Sequence, residues 1–223
     1  MRFWGMVVFG VLGTAILLSL GIWQLQRLAW KQEVLRAIES KILAPAVEIP
    51  QTVLPDAHSL LPVRAEGRYK GDTVRVLVSQ KIYGAGYRLI TAFELVDGRT
   101  IMLDRGFTSV RLEMPSTPEG RGQVIGNLQW PQEIDSFTPE NDLAANIWFA
   151  RDVARLADHL KAEPVLLVLR DSSFETEVAT PLPKMTANIP NDHMNYAITW
   201  FSLALIWLGM SGYFLYRSRD PQS

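Results

Sequence analysis

The chain has 223 residues, with 22 basic and 23 acidic side chains, no cysteine and a hydrophobic content of 48%. The net charge of −1 excludes a strongly basic nucleic-acid-binding protein and a long acidic tail, so no nucleic acid is expected as a partner. The absence of cysteine excludes disulfide scaffolds, thiolate metal sites and cysteine nucleophiles. These totals match an ordinary soluble domain. The apolar residues are nevertheless concentrated in two uncharged runs at the chain ends.

The first uncharged run extends from position 3 to position 26, between Arg2 and Arg27. A helix of about 20 apolar residues crosses the hydrocarbon core of a bilayer, so residues 3–26 are predicted to form a transmembrane helix. Trp4 and Trp23 lie near its ends, where amphipathic rings favour the headgroup level. A cleaved signal peptide is the alternative. The length of the run favours a retained helix because signal sequences have shorter apolar cores.

The second uncharged run extends from position 194 to position 216, between His193 and Arg217, and predicts a second transmembrane helix. Both runs contain small residues at spacings that bring them to one helix face. Such residues allow helices to approach closely in lipid, which predicts that the two helices pack together. The small residues in question are Ala197, Ala204 and Ser211 in the second run, and the pairs Gly10 with Thr14 and Ala15 with Ser19 in the first.

Residues 27–192 separate the two spans and carry 19 basic and 22 acidic side chains, a balance typical of a solvated globular domain. Two spans place both termini on one side of the membrane and residues 27–192 on the other. Residues 217–223 then form a short tail on the side of the termini. Basic side chains follow the first span as well as the second, so the charges alone leave the orientation undecided.

Alternation of period two predicts strands in the middle of this segment, and turn residues separate them. The helix that begins in the first span is expected to continue to Ile38, and another helix is predicted from Asn146 to Leu160. The predicted fold class is therefore two transmembrane helices flanking an α+β domain with an antiparallel six-stranded sheet, which could roll into a barrel. The six predicted strands are 63–69 and 73–78, joined by a turn at Lys70-Gly71-Asp72, then 87–96, 100–107, 123–130 and 164–170.

The sequence lacks the common catalytic signatures. It contains no phosphate-binding GxxxxGK[ST] loop, no GxSxG nucleophile elbow and no HExxH zinc helix. The three histidines, His58, His159 and His193, are far apart in sequence, and nothing in the pattern brings them together. No catalytic residue is therefore predicted, and the chain is expected not to be an enzyme.

His193 differs from the other histidines because it stands at the start of the second span. On a helix it shares a face with Tyr196 and Trp200, and Trp23 ends the first span at the same membrane surface. One imidazole among aromatic rings would suit a flat apolar macrocycle such as haem, for which histidine is a common axial ligand. The alternative is an interfacial histidine that is hydrogen-bonded to water or lipid headgroups.

Several fragments, taken in order between two terminal spans, carry a resemblance that covers nearly the whole chain. They are Gly21-Ile22-Trp23-Gln24-Leu25-Gln26-Arg27-Leu28-Ala29-Trp30-Lys31, Val63-Arg64-Ala65-Glu66-Gly67-Arg68-Tyr69, Gly86-Tyr87-Arg88-Leu89-Ile90-Thr91, Leu103-Asp104-Arg105-Gly106-Phe107 and Asn191-Asp192-His193-Met194-Asn195-Tyr196. With these fragments the chain resembles the Surfeit locus protein family (Surf-one/Shy-type), whose members are assembly factors of cytochrome c oxidase.

The resemblance implies a location and a topology. It implies that both termini are cytoplasmic and that residues 27–192 are periplasmic. The chain also resembles a bacterial member of the family, located in the inner membrane, because no Arg-rich, Ser-rich presequence precedes the first span.

The resemblance further implies a role in maturing the catalytic subunit of haem–copper oxidase, with haem a as cofactor and His193 as ligand of the haem iron. Positions in the sequence suggest that Trp23, Tyr196 and Trp200 wall the macrocycle and that Arg27 and Lys31 meet its propionates. Anchoring of these two cations to lipid phosphate is the alternative. The expected partners are the catalytic subunit, haem a synthase and the lipid bilayer. Two other functions stay open: a scaffold that binds oxidase subunits without haem, and a membrane-tethered enzyme of haem modification.

Overall fold

The computed structural model describes residues 2–80, 83–175, 179–182 and 191–218 of the chain. The chain divides into two compact units, one formed by Met1–Glu39 with Thr186–Ser223 and the other by Ser40–Met185. Pro183 and Pro190, which precede the second span in the sequence, lie outside the described residues. The same holds for residues 219–223 of the predicted C-terminal tail.

Two helices form the first unit: α1, from Arg2 to Ile42, and α4, from His193 to Arg217. By length and composition both could cross a membrane. The continuation of the first helix past the apolar run is confirmed, and α1 ends at Ile42, three residues before Pro45 would break it. The last turn of α1 belongs to the second unit. Its final carbonyl, that of Ile42, accepts hydrogen bonds from Asn127 Nδ2 at 3.0 Å and from Arg170 Nη1 at 2.9 Å.

The second unit is a sheet domain with two short helices. Its elements are β1 (Val47–Glu48), α2 (Pro55–His58), β2 (Pro62–Gln80), β3 (Gly84–Leu95), β4 (Thr100–Ser109), β5 (Gly122–Gln129), β6 (Ile147–Trp148), α3 (Val153–Leu160) and β7 (Leu166–Ser172). Neighbouring strands follow the order β2-β3-β4-β7-β5, and β5 pairs again with β2. The five long strands therefore close into a barrel, and the predicted fold class is confirmed. Most pairs are antiparallel, whereas β4 and β7 run parallel.

Two of the six predicted strands are one strand in the structure. The predicted turn at Lys70-Gly71-Asp72 is an irregularity inside β2, where the pairing with β3 shifts between Lys70 and Thr73. Gly71 has a φ of 70°, which glycine adopts without strain. Because β3 pairs with β2 on both sides of this point, the chain continues in the same direction instead of reversing. Two short strands, β1 and β6, also pair with β2 and were not predicted.

The helix predicted from Asn146 to Leu160 is wrong in its first half. Ile147 and Trp148 form β6 at the edge of β2, and α3 begins only at Val153. The side chain of Asp152 caps this helix by accepting a hydrogen bond from the backbone N–H of Arg155. An aspartate is a common N-cap, so the start of α3 after Asp152 could have been predicted from the sequence. The apolar residues before Asp152 led instead to a helix predicted from Asn146.

Apolar residues are buried on both faces of β7, the strand that corresponds to the predicted strand 164–170. Leu167 and Leu169 of β7 lie in the barrel interior with residues such as Phe93. Leu166 and Val168, on the opposite face of the same strand, pack beneath α3 and Trp148. The barrel thus has an inner core and an outer core under one helix, which fixes the surrounding loops.

Candidate functional site

The helices α1 and α4 pack antiparallel within their unit. Gly10 near the start of α1 lies against Ser211 near the end of α4, and Gln24 lies against His193 at the start of α4. The small residues Ala197 and Ala204 are buried, and Ser211 contacts α1, so this predicted stripe does pack. The predicted pair Ala15 and Ser19 does not, because both residues are exposed.

The close packing of the helix pair depends on a missing side chain at Gly13. A Cβ added there would lie within 2.3 Å of Trp207 Nε1, well inside van der Waals contact. The space allows the Trp207 indole to reach across and donate a hydrogen bond to the carbonyl of Gly10 at 3.1 Å. The Phe9 ring packs against the same indole at a centroid distance of 5.1 Å. An indole N–H in apolar surroundings therefore has a partner, as burial requires.

The opposite end of the helix pair holds the predicted site residue His193. Its Nδ1 lies 2.8 Å from Oε1 of Gln24, whose side chain is buried. A carboxamide oxygen can only accept, so His193 Nδ1 carries the hydrogen of this bond. In the neutral ring the lone pair is then on Nε2, the atom that would face a ligand. A hydrogen bond to the second ring nitrogen is the usual way in which proteins orient a metal-binding imidazole.

The predicted aromatic wall residues occupy the same end of the helix pair but differ in exposure. Trp23 is 51% exposed and Tyr196 is 57% exposed, whereas Trp200 is half-buried. Ala197, which lies between Tyr196 and Trp200 in sequence, is buried against the neighbouring helix. Two aromatic side chains thus offer open faces near His193, while the packing of the helices holds the backbone that carries them.

The two predicted cations follow on α1. The Arg27 guanidinium lies over the Trp30 ring at 4.5 Å, a cation–π contact that the sequence reading did not include. Lys31 is half-buried. Neither observation tests the predicted interaction of Arg27 and Lys31 with propionates, which stays a prediction.

Gln24 is the residue of this site that the sequence reading did not select. It lies in the uncharged run three residues after Gly21, which is also buried, so the two share the packed face of α1. A carboxamide on the buried face of a membrane-length helix is costly unless it is hydrogen-bonded. The sequence therefore contained a signal for Gln24, because its carboxamide requires a hydrogen-bond partner. His193 lies at the corresponding end of the other span.

The other two histidines have local roles. His58 Nδ1 accepts a hydrogen bond from the backbone N–H of Leu54 at 2.9 Å, which closes the short helix α2. His159 packs edge-on against Trp148. Among the described residues no three His, Asp or Glu side chains converge into a group that could hold a metal ion. Of the three histidines, His193 therefore stays the candidate ligand.

A second polar arrangement, which the sequence reading missed, lies in the barrel domain. Asp104 of β4 is completely buried, and its Oδ2 accepts a hydrogen bond from Arg88 Nε at 2.7 Å. Arg151 Nη1 donates to the same oxygen at 3.4 Å, and Arg151 Nε donates to Glu133 Oε1 at 3.0 Å. We call Arg88, Asp104, Glu133 and Arg151 the ion cluster. Its members come from β3, β4 and the loops on either side of β6, so only the closed barrel brings them together.

Ionisation in this cluster follows from its contacts. Burial alone would raise the pKa of Glu133, but the hydrogen bonds and positive charge of Arg151 outweigh it, so the pKa lies below its usual value. Burial would lower the pKa of Arg151, whereas Glu133 and Asp104 raise it above its usual value. Glu133 and Arg151 are therefore both charged at neutral pH.

Comparison with known proteins agrees with the resemblance. Residues 11–205 match the SURF1 family. The chain is 30% identical over 225 residues to a SURF1-like protein of Rickettsia prowazekii, which covers 94% of this chain and 88% of that protein. It is 27% identical over 200 residues to a SURF1-like protein of Rickettsia felis, covering 85% and 88% of the two chains. It is 29% identical over 212 residues to the human Surfeit locus protein 1, covering 83% and 69%.

Proposed function

The chain belongs to the SURF1 family, and from this premise we propose that it binds haem a and aids its insertion into the catalytic subunit of a haem–copper cytochrome c oxidase. The family is known for cytochrome oxidase assembly factors rather than enzymes, which supports an assembly role. The observation that supports the haem proposal is the hydrogen bond between His193 and Gln24 at one end of the helix pair.

The residues present at this end fit an iron-bound macrocycle. Gln24 orients the His193 ring through Nδ1, so that Nε2 would be the atom that binds the haem iron. Trp23 and Tyr196 have exposed faces that would pack on a flat apolar ring, and Trp200 would close the wall between the helices. Bound haem a would supply a redox-active chromophore; in this role the protein would only hold it and exclude water.

The cations of α1 would meet the polar edge of the ligand. Lys31 and Arg27 would bind the two propionates, with Arg27 leaving its contact over Trp30. A carrier placed at the membrane also suits haem a chemically, because its long apolar tail should not cross water unescorted. Haem a synthase would then be the donor and the oxidase catalytic subunit the acceptor.

The proposed topology has both termini in the cytoplasm and the barrel domain in the periplasm of a bacterium. Two membrane-length helices at the chain ends and the relatives in Rickettsia support a bacterial membrane protein. A reporter that is active only in the periplasm, inserted near Gly120 in the exposed loop between β4 and β5, should be active. A stable fusion without reporter activity would reverse the orientation.

The haem proposal is tested by purifying the full chain from cells that make haem a and recording its visible spectrum. We expect a haem a spectrum in the parent protein and its loss, or a shift of its bands, in His193→Ala. Gln24→Leu should retain less haem because the ring loses its orientation. His58→Gln and His159→Gln are the matched controls, since both replace a histidine outside this site, and both should retain the parent spectrum.

Two results would count against this assignment. A parent protein without haem would exclude the carrier role. A haem spectrum unchanged in His193→Ala would leave the carrier role standing and remove His193 as its ligand.

A scaffold that binds oxidase subunits without haem is the second candidate, and exposed apolar side chains on the barrel domain favour it. Phe137 is 90% exposed, and Ile134 and Leu143 in the same loop are 57% and 60% exposed. Exposed aromatic residues on ordered loops are typical anchors of protein–protein interfaces. Phe137→Ser should then weaken co-purification of the catalytic subunit, whereas Leu112→Ser, in another exposed loop, should not. A parent protein without haem, combined with this pattern, would favour the scaffold.

A further inference from the structure

A polar cavity of about 340 Å³ opens beside the ion cluster, within the barrel domain. The end of β5, the loop that follows it and the residues Ser59 and Leu60 form most of its wall. Three charged members of the ion cluster, Arg88, Glu133 and Arg151, line the cavity, whereas the buried Asp104 does not. The groups that face the cavity thus include two guanidinium groups and one carboxylate.

A buried side chain, that of Gln129, points independently of the charges to a ligand in this cavity. This residue is the last of β5 and lines the cavity, yet it is only 7% exposed. Its Nε2 is fully buried and has no hydrogen-bond partner within the described part of the chain. A buried amide N–H without an acceptor is destabilising, so natural proteins retain one mainly where another group completes it. The missing partner must be an acceptor, because an amide nitrogen only donates.

Arg88 offers a further donor at the same place. Among the described residues its hydrogen bonds use Nε, to Asp104, and Nη2, to the carbonyl of Leu182 at 3.0 Å. Within the described part of the chain no hydrogen bond uses Nη1, and Arg88 is one of the residues that line the cavity. An amide donor and a guanidinium group that line the same cavity are the kinds of donor that bind the oxygens of a carboxylate.

The charge of the surroundings selects between anions. The two arginines of the ion cluster balance Asp104 and Glu133, so the four groups together are neutral. A single negative charge against the two guanidinium groups that line the cavity is favourable, but a dianion would bring a second negative charge beside Glu133. The small volume also excludes large polyanions.

We propose that this cavity binds a carboxylate group, which accepts hydrogen bonds from Gln129 Nε2 and from the Arg88 guanidinium group. The site is separate from His193 and does not depend on haem. The carboxylate can come from a free acid or from an aspartate on a polypeptide, since both present the same oxygens.

Calorimetric titration of the full chain in detergent tests the proposal at constant ionic strength. The probes are butyrate for a free acid, N-acetyl-aspartyl-methylamide for a carboxylate on a polypeptide, and inorganic phosphate and chloride for comparison. We expect the parent protein to bind at least one carboxylate probe saturably. The affinity of Gln129→Leu for that probe should be lower by a factor of about ten or more. Gln123→Leu is the matched control: it makes the same exchange on the same strand at an exposed position outside the cavity, and should bind as the parent does.

A second measurement uses the parent protein alone, in case Gln129→Leu does not fold. In a sample labelled with ¹⁵N-glutamine, the carboxylate that binds should shift the side-chain amide signal of Gln129 and leave that of Gln123 in place. Three results would overturn the proposal: no binding of either carboxylate, phosphate bound as tightly as the carboxylates, or equal weakening in Gln129→Leu and Gln123→Leu. Tighter binding of butyrate would identify a free acid as the ligand, and tighter binding of the aspartyl probe a polypeptide.

Discussion

The helix pair and the barrel domain both bury polar side chains, but they do so with different chemistry. In the helix pair two polar contacts have no ionic partner: an imidazole bonds to a carboxamide, and an indole bonds to a backbone carbonyl. In the barrel one buried contact is ionic, with Asp104 completely buried between Arg88 and Arg151. Lipid gives an ion no solvation, so membrane helices favour neutral hydrogen bonds. A water-exposed domain can bury an ion pair when several partners surround it.

The difference concerns function as well as stability. The hydrogen bond between Gln24 and His193 holds the imidazole ring in one orientation while leaving Nε2 for a ligand. The ion cluster instead joins strands and loops that are far apart in the chain, and it leaves donors at a cavity beside it. Each unit thus has its own candidate site, and substitutions should affect one unit without the other.

The largest effect is expected when the ion cluster loses its central charge. Asp104→Asn keeps the size of the side chain but leaves Arg88 and Arg151 without their shared buried partner. Removing one partner of a buried ion pair costs about 3–5 kcal/mol, so the barrel should unfold at much lower temperature or denaturant concentration. Near-ultraviolet circular dichroism of the full chain in detergent follows this unfolding.

Asp97→Asn is the control for this substitution. Asp97 pairs with Arg99 in a partly exposed turn, so its loss should cost no more than about 1 kcal/mol. Equal destabilisation by the two substitutions would mean that the buried cluster contributes nothing beyond a surface ion pair, and the contrast between the two units would disappear.

An intermediate effect is expected at the helix contact. Gly13→Leu places a side chain where Trp207 lies, and overpacking of this kind costs about 1–3 kcal/mol. Because the chain has no cysteine, the double substitution Gly10→Cys with Ser211→Cys reports helix contact through one specific disulfide. An ideal Cβ at Gly10 lies 3.0 Å from the Cβ of Ser211, which is shorter than the roughly 3.5–4.5 Å of a disulfide, so the helices must separate slightly for the bond to form.

We expect the cross-link to form in the double variant and to decrease when Gly13→Leu is added. Gly5→Leu is the control, since nothing lies within 4 Å of a Cβ added at Gly5. Barrel unfolding should be the same in all these proteins. A cross-link yield that is insensitive to Gly13→Leu would show that the helices do not depend on this close approach.

The smallest effect on the free energy of unfolding is expected from the titration of Glu133. Its pKa is lowered in the folded protein despite burial, because Arg151 stabilises the carboxylate. A lowered folded pKa stabilises the fold above the unfolded value of about 4.3, and this stabilisation is lost as the pH falls through the folded value. Glu133 is partly exposed, so the contribution should stay below about 1 kcal/mol.

Glu133→Gln should therefore be less stable than the parent at pH 7, and the difference should shrink below pH of about 4. Unfolding curves of both proteins at several pH values measure it. A difference that stays constant down to pH of about 3 would mean that Arg151 does not lower the pKa of this carboxyl group.

The sequence predicted those parts of the structure that depend on neighbouring residues. Apolar length alone was enough for the two end helices, and alternation was enough for most strands. Two errors came from local patterns that tertiary contacts override. Gly71 resembles a hairpin turn but lies inside β2 because β3 pairs with both sides of it. Ile147 and Trp148 were included in the helix predicted from Asn146 to Leu160. They form β6 instead, since they pair with β2.

The candidate site divides in the same way. His193 was selected as a candidate site residue because it stands at the start of the second span. That selection required only the local sequence. Its partner Gln24 lies 169 positions away in sequence, and the members of the ion cluster come from four separate segments. The sequence by itself therefore determined two membrane-length helices, a strand-rich domain and one histidine of interest, since each follows from local apolarity and spacing. Only the tertiary structure decided the closure of the barrel, the orientation of His193 and the cavity at Gln129, because each requires contacts between residues that are distant in the chain.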